Sequence, residues 1–212
     1  MRRTLPWIPV LALLTACAAS APPAEEDSTH GLVRVQSTNV DTLYTAPGMT
    51  LARYQRVMLD SVQVEFKADW QKRHPDIAVD DVTRIRSQAG AAFRDIFGSA
   101  LSSNGGFGLT TQAGADVLRV STTISELEIE KSPSELNSLQ RSYVVSSHDL
   151  KLLLELRDAE SGALLVRAID HDQTSGDMHV TDSVSNSPEA RRTLEQWAGQ
   201  LRKVLDEARA AR

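Results

Sequence analysis

Five histidines, 28 acidic residues and one cysteine are the groups from which this 212-residue chain could assemble chemistry. The densest cluster is Asp170-His171-Asp172 with Asp177 and His179, where carboxylate and imidazole form a donor set suited to a divalent metal. Side chains alternate along an extended strand, so Asp170 and Asp172 face one way and His171 the other. A solvated strand end is the expectation, with no metal. Asp170, Asp172 and His179 stand as candidate binding residues, and so does Trp70, which is expected in a polar loop running through His74 and Pro75. Glu126, Glu128 and Glu130 alternate with Leu127 and Ile129, the pattern of a wet strand face and not of the cleft that paired acid and base carboxylates need. No Gly-x-Ser-x-Gly elbow, Ser-x-x-Lys pair or His-Glu-x-x-His motif occurs. The glycine-rich run Asn104 to Gly108 follows a helical pattern instead of opening one, so it lacks the helix N-terminal amides that cradle phosphate. No catalytic residue, cofactor or enzymatic activity is expected.

The lone cysteine closes a different pattern. Met1-Arg2-Arg3-Thr4 is short and basic, Leu5 to Leu14 carries no charge, and Ala16, Ala18 and Ala19 are small. An apolar run of about ten residues is half of the ~20 that a spanning helix needs, and Pro6 and Pro9 weaken a helix further. An export signal over residues 1–16 is the reading. Its end, Leu14-Thr15-Ala16-Cys17, resembles the lipobox of bacterial lipoprotein signals at all four positions. That resemblance implies cleavage before Cys17 and fatty acylation, with palmitate or similar chains, on its sulfur and its new amino group. At ~0.8 kcal/mol per buried methylene one chain holds marginally and several hold stably. Ala18 follows the cysteine where Asp would signal inner-membrane retention in enterobacterial sorting, so the resemblance implies the periplasmic side of the cell outer membrane.

The elements behind these candidates follow from periodicity. Residues 17–31 (Ala18 to Gly31: AASAPPAEEDSTHG) are small, acidic and without a large apolar side chain, and read as a tether of roughly 20 Å root-mean-square reach. Residues 32–212 read as one α+β domain, of a size that buries a real core. Leu32 to Arg53 looks like an irregular lead-in. Arg56 to Phe66 is a strand whose apolar parity shifts at Asp60-Ser61, and Asp116 to Lys131 is a second whose parity shifts near Ser125; a shift of one residue in a period of two predicts a bulge at each. Between them, with Asp80 as its N-cap, Val82, Ile85, Ala89, Phe93 and Ile96 recur at helical spacing up to an Asn104-Gly105-Gly106 stop. Tyr143 to Arg157 and Ala163 to Asp170 are strands joined by turn chemistry at Asp158 to Gly162. Ser187 and Pro188 open a C-terminal helix with an Ala190, Leu194, Trp197, Leu201, Leu205 stripe. The expected architecture is a mainly antiparallel or mixed sheet of four to five strands covered by two amphipathic helices.

With these motifs in view, residues from about Asp41 to Asp206 resemble a proteobacterial lipoprotein family known only as domain of unknown function 3313. The residues that carry the likeness are Leu43-Tyr44 with Pro47-Gly48, the run Leu51 to Asp60, Ala115 to Val120, Leu153 to Asp158 with Ser161-Gly162, and Asn186 with Ala190-Arg191-Arg192 and Trp197-Ala198. Family members have Pro where this chain has Ser61, and an aromatic near Val180. The order strand, helix, strands, helix is also similar to small mixed domains of envelope assembly lipoproteins, a likeness of fold that implies no function.

The chain has 23 basic residues against 28 acidic ones, a net charge of −5, and losing Arg2 and Arg3 with the leader leaves 21 basic residues and −7. Such a body is unsuited to nucleic acid. The sequence thus points to a non-catalytic, lipid-anchored envelope lipoprotein that binds another envelope protein or a cell-wall polymer. The alternative is a small-molecule or lipid-binding auxiliary of an envelope transporter, which requires an apolar cavity beyond what packing leaves.

Overall fold

The structure, a computed structural model, describes residues 26–27, 31–131, 143–146, 150–171, 180–181 and 188–211. In chain order come β1 (Glu26–Asp27), β2 (Leu32–Val35), β3 (Thr42–Thr45), β4 (Arg56–Leu59), β5 (Gln63–Phe66), α1 (Trp70–Arg73) and α2 (Val79–Ser102). They are followed by β6 (Gly108–Leu109), β7 (Val117–Lys131), β8 (Tyr143–Ser146), β9 (Lys151–Asp158), β10 (Leu164–His171), β11 (Val180–Thr181) and α3 (Pro188–Ala210). Among the described residues one mixed sheet runs through eight strands in the order β1-β2-β3-β10-β9-β7-β4-β6. The fold is α+β as expected, but the sheet is larger than four to five strands. The excess comes from the two-residue β6 beside β4 and from β1 to β3: the segment read as a lead-in pairs antiparallel within itself and then, through β3, with β10. Glu26 and Asp27, within the stretch read as tether, pair with Val33 and Leu32.

From β1 to β7 every neighbour on this path is antiparallel, whereas β4 lies parallel to β7 and β6 parallel to β4. A parallel pair cannot be joined by a tight turn, and α2 is the crossover that this geometry demands. Both expected bulges are present. Leu59 pairs with Val120 and Gln63 with Thr123, so four steps on one strand match three on the other, and β4 and β5 are separated at Asp60–Val62. On β7 the surplus residue lies between Ile124 and Leu127, where Glu126 adopts φ 62°. This left-handed kink turns Leu127 and Ile129 back to the buried face, at 2% and 0% exposed. The expected single strand Tyr143 to Arg157 is two strands, β8 and β9, both antiparallel to β7 on different stretches of it.

Helices α2 and α3 cover one sheet face. Val82, Ile85, Ala89, Phe93, Ile96, Phe97 and Leu101 of α2 meet Leu118, Val120, Ile124, Leu152, Leu154 and Leu156 of the sheet in one core with Leu194, Trp197, Leu201 and Leu205 of α3. Asp80 is not the cap of α2, which starts one residue earlier at Val79 on an uncapped Ala78; Asp80 and Asp81 instead lie in the first turn, where negative charge favours the helix dipole. The other end closes as the sequence suggests, with Asn104 and Gly105 at φ 50° and 71°. There α3 reaches across: Arg202 Nη1 donates to the carbonyls of Ala100 (3.0 Å), Leu101 (3.2 Å) and Ser103 (2.9 Å). These are C-terminal carbonyls that α2 itself cannot pair. Arg209 lies 3.7 Å over the Phe107 ring.

The guanidinium passes so close to the turn that Gly106 has no room for a side chain: a Cβ there would overlap the Leu101 carbonyl and sit 2.5 Å from Arg202 Nη1. Gly106→Ala is therefore expected to destabilise the domain by about 2 kcal/mol. A urea melt of the full chain checks this, and an unchanged midpoint would mean that the turn yields without cost.

Candidate functional site

At one end of the sheet, strand alternation brings Asp158, the last inward-facing residue of β9, into the protein at 3% exposed. A buried carboxylate needs partners. It accepts from the Ser161 amide (2.8 Å) and hydroxyl (2.7 Å), from the Tyr54 hydroxyl (2.9 Å) and from the Arg53 guanidinium. The Ser161 amide and hydroxyl, then Tyr54 and Arg53, hold its carboxyl at about 2 against an ordinary 3.8. Burial raises the Tyr54 phenol, which therefore stays a neutral donor. One strand away Arg56 grips Asp116 through Nε (2.9 Å) and Nη2 (2.5 Å), and this hydrogen bonding lowers the Asp116 carboxyl. The residues that carry the family likeness in Leu51 to Asp60, Ala115 to Val120 and Leu153 to Gly162 thus converge on a clasp that ties the approach to β4 onto β7 and the β9–β10 turn. Its carboxylates are already neutralised, so its chemistry is structural.

The face opposite the helices is polar. Register places Tyr44, Arg167, Glu155 and Ser121 side by side on β3, β10, β9 and β7, and Asp60 in the β4–β5 interruption accepts from Ser121 Oγ at 2.5 Å. At about 4.8 Å per strand this row crosses roughly 19 Å. Arg119 Nε donates to both Asp60 oxygens at 2.9 and 2.8 Å, and Arg167 and Arg157 both donate to Glu155, at 2.7 and 2.8 Å from their Nη2 atoms. Burial pushes the Glu155 carboxyl up, but these two guanidinium groups together outweigh it and hold it below its ordinary value. Asp60, Gln63, Arg119, Ser121, Thr123 and Glu155 line an open groove of about 470 Å³. Each of its two carboxylates is already bound to a guanidinium, an arrangement suited to recognition and not to proton transfer. Met58, Leu153 and Ile169 share this face at intermediate exposure.

Between the covered face and α3 lies a third feature, an apolar cavity of about 160 Å³. Leu43 of β3, Met49 and Leu51 of the following loop, Ala168 of β10, and Trp197 and Val204 of α3 contribute to its wall.

The candidates read from the sequence are distributed differently. Trp70 is not in a loop: it is in α1, 1% exposed, stacked on Phe66 (4.3 Å between centroids), and its Nε1 donates to the Ile129 carbonyl at 2.8 Å. It is a core residue. Asp170 accepts from Trp197 Nε1 (2.8 Å) and the Asp41 amide (3.2 Å), so it orients a wall of the apolar cavity. His171 faces away toward Asp41, Nδ1 to Oδ2 at 2.8 Å. Leu14, Thr15, Ala16, Cys17, Asp172 and His179 lie outside the described residues, as do residues 1–16, read as an export signal, and most of the stretch read as a tether. Among the described residues no group of three or more His, Cys, Asp or Glu is placed to hold a metal, and no helix is long and apolar enough to cross a membrane. Sequence reasoning missed the clasp and the cavity. The signal for the first was a charged residue, Asp158, at an inward parity.

A family model described as protein of unknown function (DUF3313) matches residues 28–201, and the chain belongs to that family. No curated protein matches it. Among solved structures it is similar to the PelC dodecamer from Paraburkholderia phytofirmans, at 13% identity over 77% of this chain and 96% of that one, with a TM-score of 0.36. It is also similar to a neuraminyllactose-binding hemagglutinin homolog from Helicobacter pylori, at 11% identity over 74% and 83% of the two chains, with a TM-score of 0.32.

The clasp sets an acid limit. A carboxyl lowered in the folded state contributes stability above its unfolded value, and that contribution is lost as pH falls through the folded one. For Asp158 the window is from about pH 4 to about 2. Asp158→Asn is expected to cost about 2 kcal/mol at pH 7 and to flatten the pH dependence between 4 and 2. Urea midpoints of both proteins across that range decide it; parallel curves would remove Asp158 from the acid transition.

Proposed function

We propose that this family member is a non-catalytic envelope lipoprotein, held through acylated Cys17 at the periplasmic face of the outer membrane, whose domain binds another envelope component. The observation that carries the reading is the sheet face opposite α2 and α3, which no helix covers among the described residues. Its polar row is wide, its charges are mutually satisfied, and the interleaved Met58, Leu153 and Ile169 give it the mixed character of protein interfaces, which favours a protein partner over a cell-wall polymer. A tether of roughly 20 Å reach suits a body that must meet such a partner without lying on the lipid.

A second reading, a small-molecule or lipid-binding auxiliary of an envelope transporter, is favoured by the apolar cavity between the sheet and α3.

Photo-crosslinking side chains placed at Thr123 and Leu153 are expected to give a discrete protein adduct in intact cells at native abundance. The same probe at Val79, 73% exposed on α2, should give none. Cys17→Ser should release the protein from the outer-membrane fraction and deplete the adduct. A polymer adduct would shift the partner class, and no adduct from the sheet face would overturn the binding reading.

A further inference from the structure

The helices are too few for the sheet they cover. Two helices packed side by side span about 20 Å, whereas the strands from β2 to β4 already span roughly 24 Å. With α2 packed against α3, the covered face of β10 and β3 extends past the helical layer. Val166, Ala168 and Leu43 there are roofed by Met49 and Leu51 of the loop after β3 and by the outer edge of α3, where Val204 is 38% exposed. What remains is a half-open apolar pocket of about 160 Å³, comparable in volume to a cavity of ~150 Å³ that accepts benzene. Close-packed interiors leave few voids larger than one water.

The wall chemistry selects the guest. Among the described residues that line the cavity none is charged, and its polar members are Ser37, Asn39, Thr45 and Gln200. Ser37 Oγ is already engaged by the Asn39 and Val40 amides. Trp197 turns its indole N–H to Asp170, at 2.8 Å, and leaves its ring to the cavity.

We propose that this cavity is a binding site for a single short alkyl chain with an uncharged polar head, the chain under Trp197 and the head near Asn39 and Gln200. The site deepens the small-molecule reading and rests on its cavity, not on a transporter. A wall that offers no ion pair disfavours a carboxylate or ammonium, because such a charge loses part of its hydration there. A space of this size excludes a long or doubly acylated lipid.

The probes are straight-chain alcohols, butanol to dodecanol, titrated by calorimetry into the full chain carrying Cys17→Ser, prepared without detergent. At ~0.8 kcal/mol per buried methylene, affinity is expected to rise about fourfold per carbon and then level off near six to eight carbons. Octanoate is expected to bind at least tenfold more weakly than octanol. The Trp197 indole N–H resonance should move on binding while that of Trp70 stays. Ala168→Leu, which fills the cavity, should abolish the effect. If that variant fails to fold, Val204→Phe at the exposed rim should weaken binding by an order of magnitude. Affinity that climbs unbroken to dodecanol, equal binding of octanoate, or unaltered binding in a folded filled variant would overturn the site. Saturable octanol binding to the purified chain, together with envelope transport unaffected when the protein is deleted from cells, would remove the transporter reading and leave the site standing.

Discussion

Backbone groups buried beside a hydrophobic core must find partners, and in this protein one strand answers for most of them. β7 gives its edges to β4, β5, β8 and β9 over fifteen residues. A strand of that length would twist away from any flat layer of helices, and its side chains would keep one parity throughout. The left-handed residue at Glu126 resets both: it returns Leu127 and Ile129 to the core and directs the far half of β7 to β8. Trp70 reads that arrangement directly, because its indole donates to the Ile129 carbonyl. The crossover α2, the hairpin of β9 and β10 and the cover by α3 all presuppose this strand.

Much of this was legible in the sequence because it rests on periodicity. The two parity breaks at Asp60-Ser61 and Ser125, the stripe from Val82 to Ile96, the Asn104-Gly105 stop and the Leu152, Leu154, Leu156 alternation are one-dimensional records of which face is buried. The short strands β2 and β3 left no such record. In β2 only Leu32 is buried while Val35 is 41% exposed, and Thr42 to Thr45 are all of intermediate burial, so neither strand shows a period-two alternation of wet and dry residues. Their formation depends on β10 offering an unpaired edge, a fact about the fold and not about those residues. Trp70 failed for a related reason: Phe66, His74 and the Ile129 carbonyl that enclose it come from three elements.

The site was less legible than the fold. An Arg-Tyr dipeptide and an Asp separated by more than a hundred positions say nothing of one another until β9 and the approach to β4 lie side by side. Glu155 alternates with Leu154 and Leu156 along its strand, but the row it forms with Tyr44, Arg167, Ser121 and Asp60 requires the register of four strands. The cavity is subtler still, since it arises from a mismatch between the width of a sheet and the width of its cover. No individual residue encodes it.

The guanidinium of Arg202 has a bearing on how the chain acquires its structure. The carbonyls at the end of α2 accept from a side chain 99 to 102 positions later, in addition to the Phe107 amide on Leu101 and the Gly106 amide on Ser103, so α3 adds a second set of donors to an end that its own turn already closes. Contacts of such long sequence separation slow folding and couple early elements to late ones. A chain that loses α3 therefore loses these donors at a distant place, the turn around Gly105. In this way the last helix of the chain fastens the far end of the crossover helix.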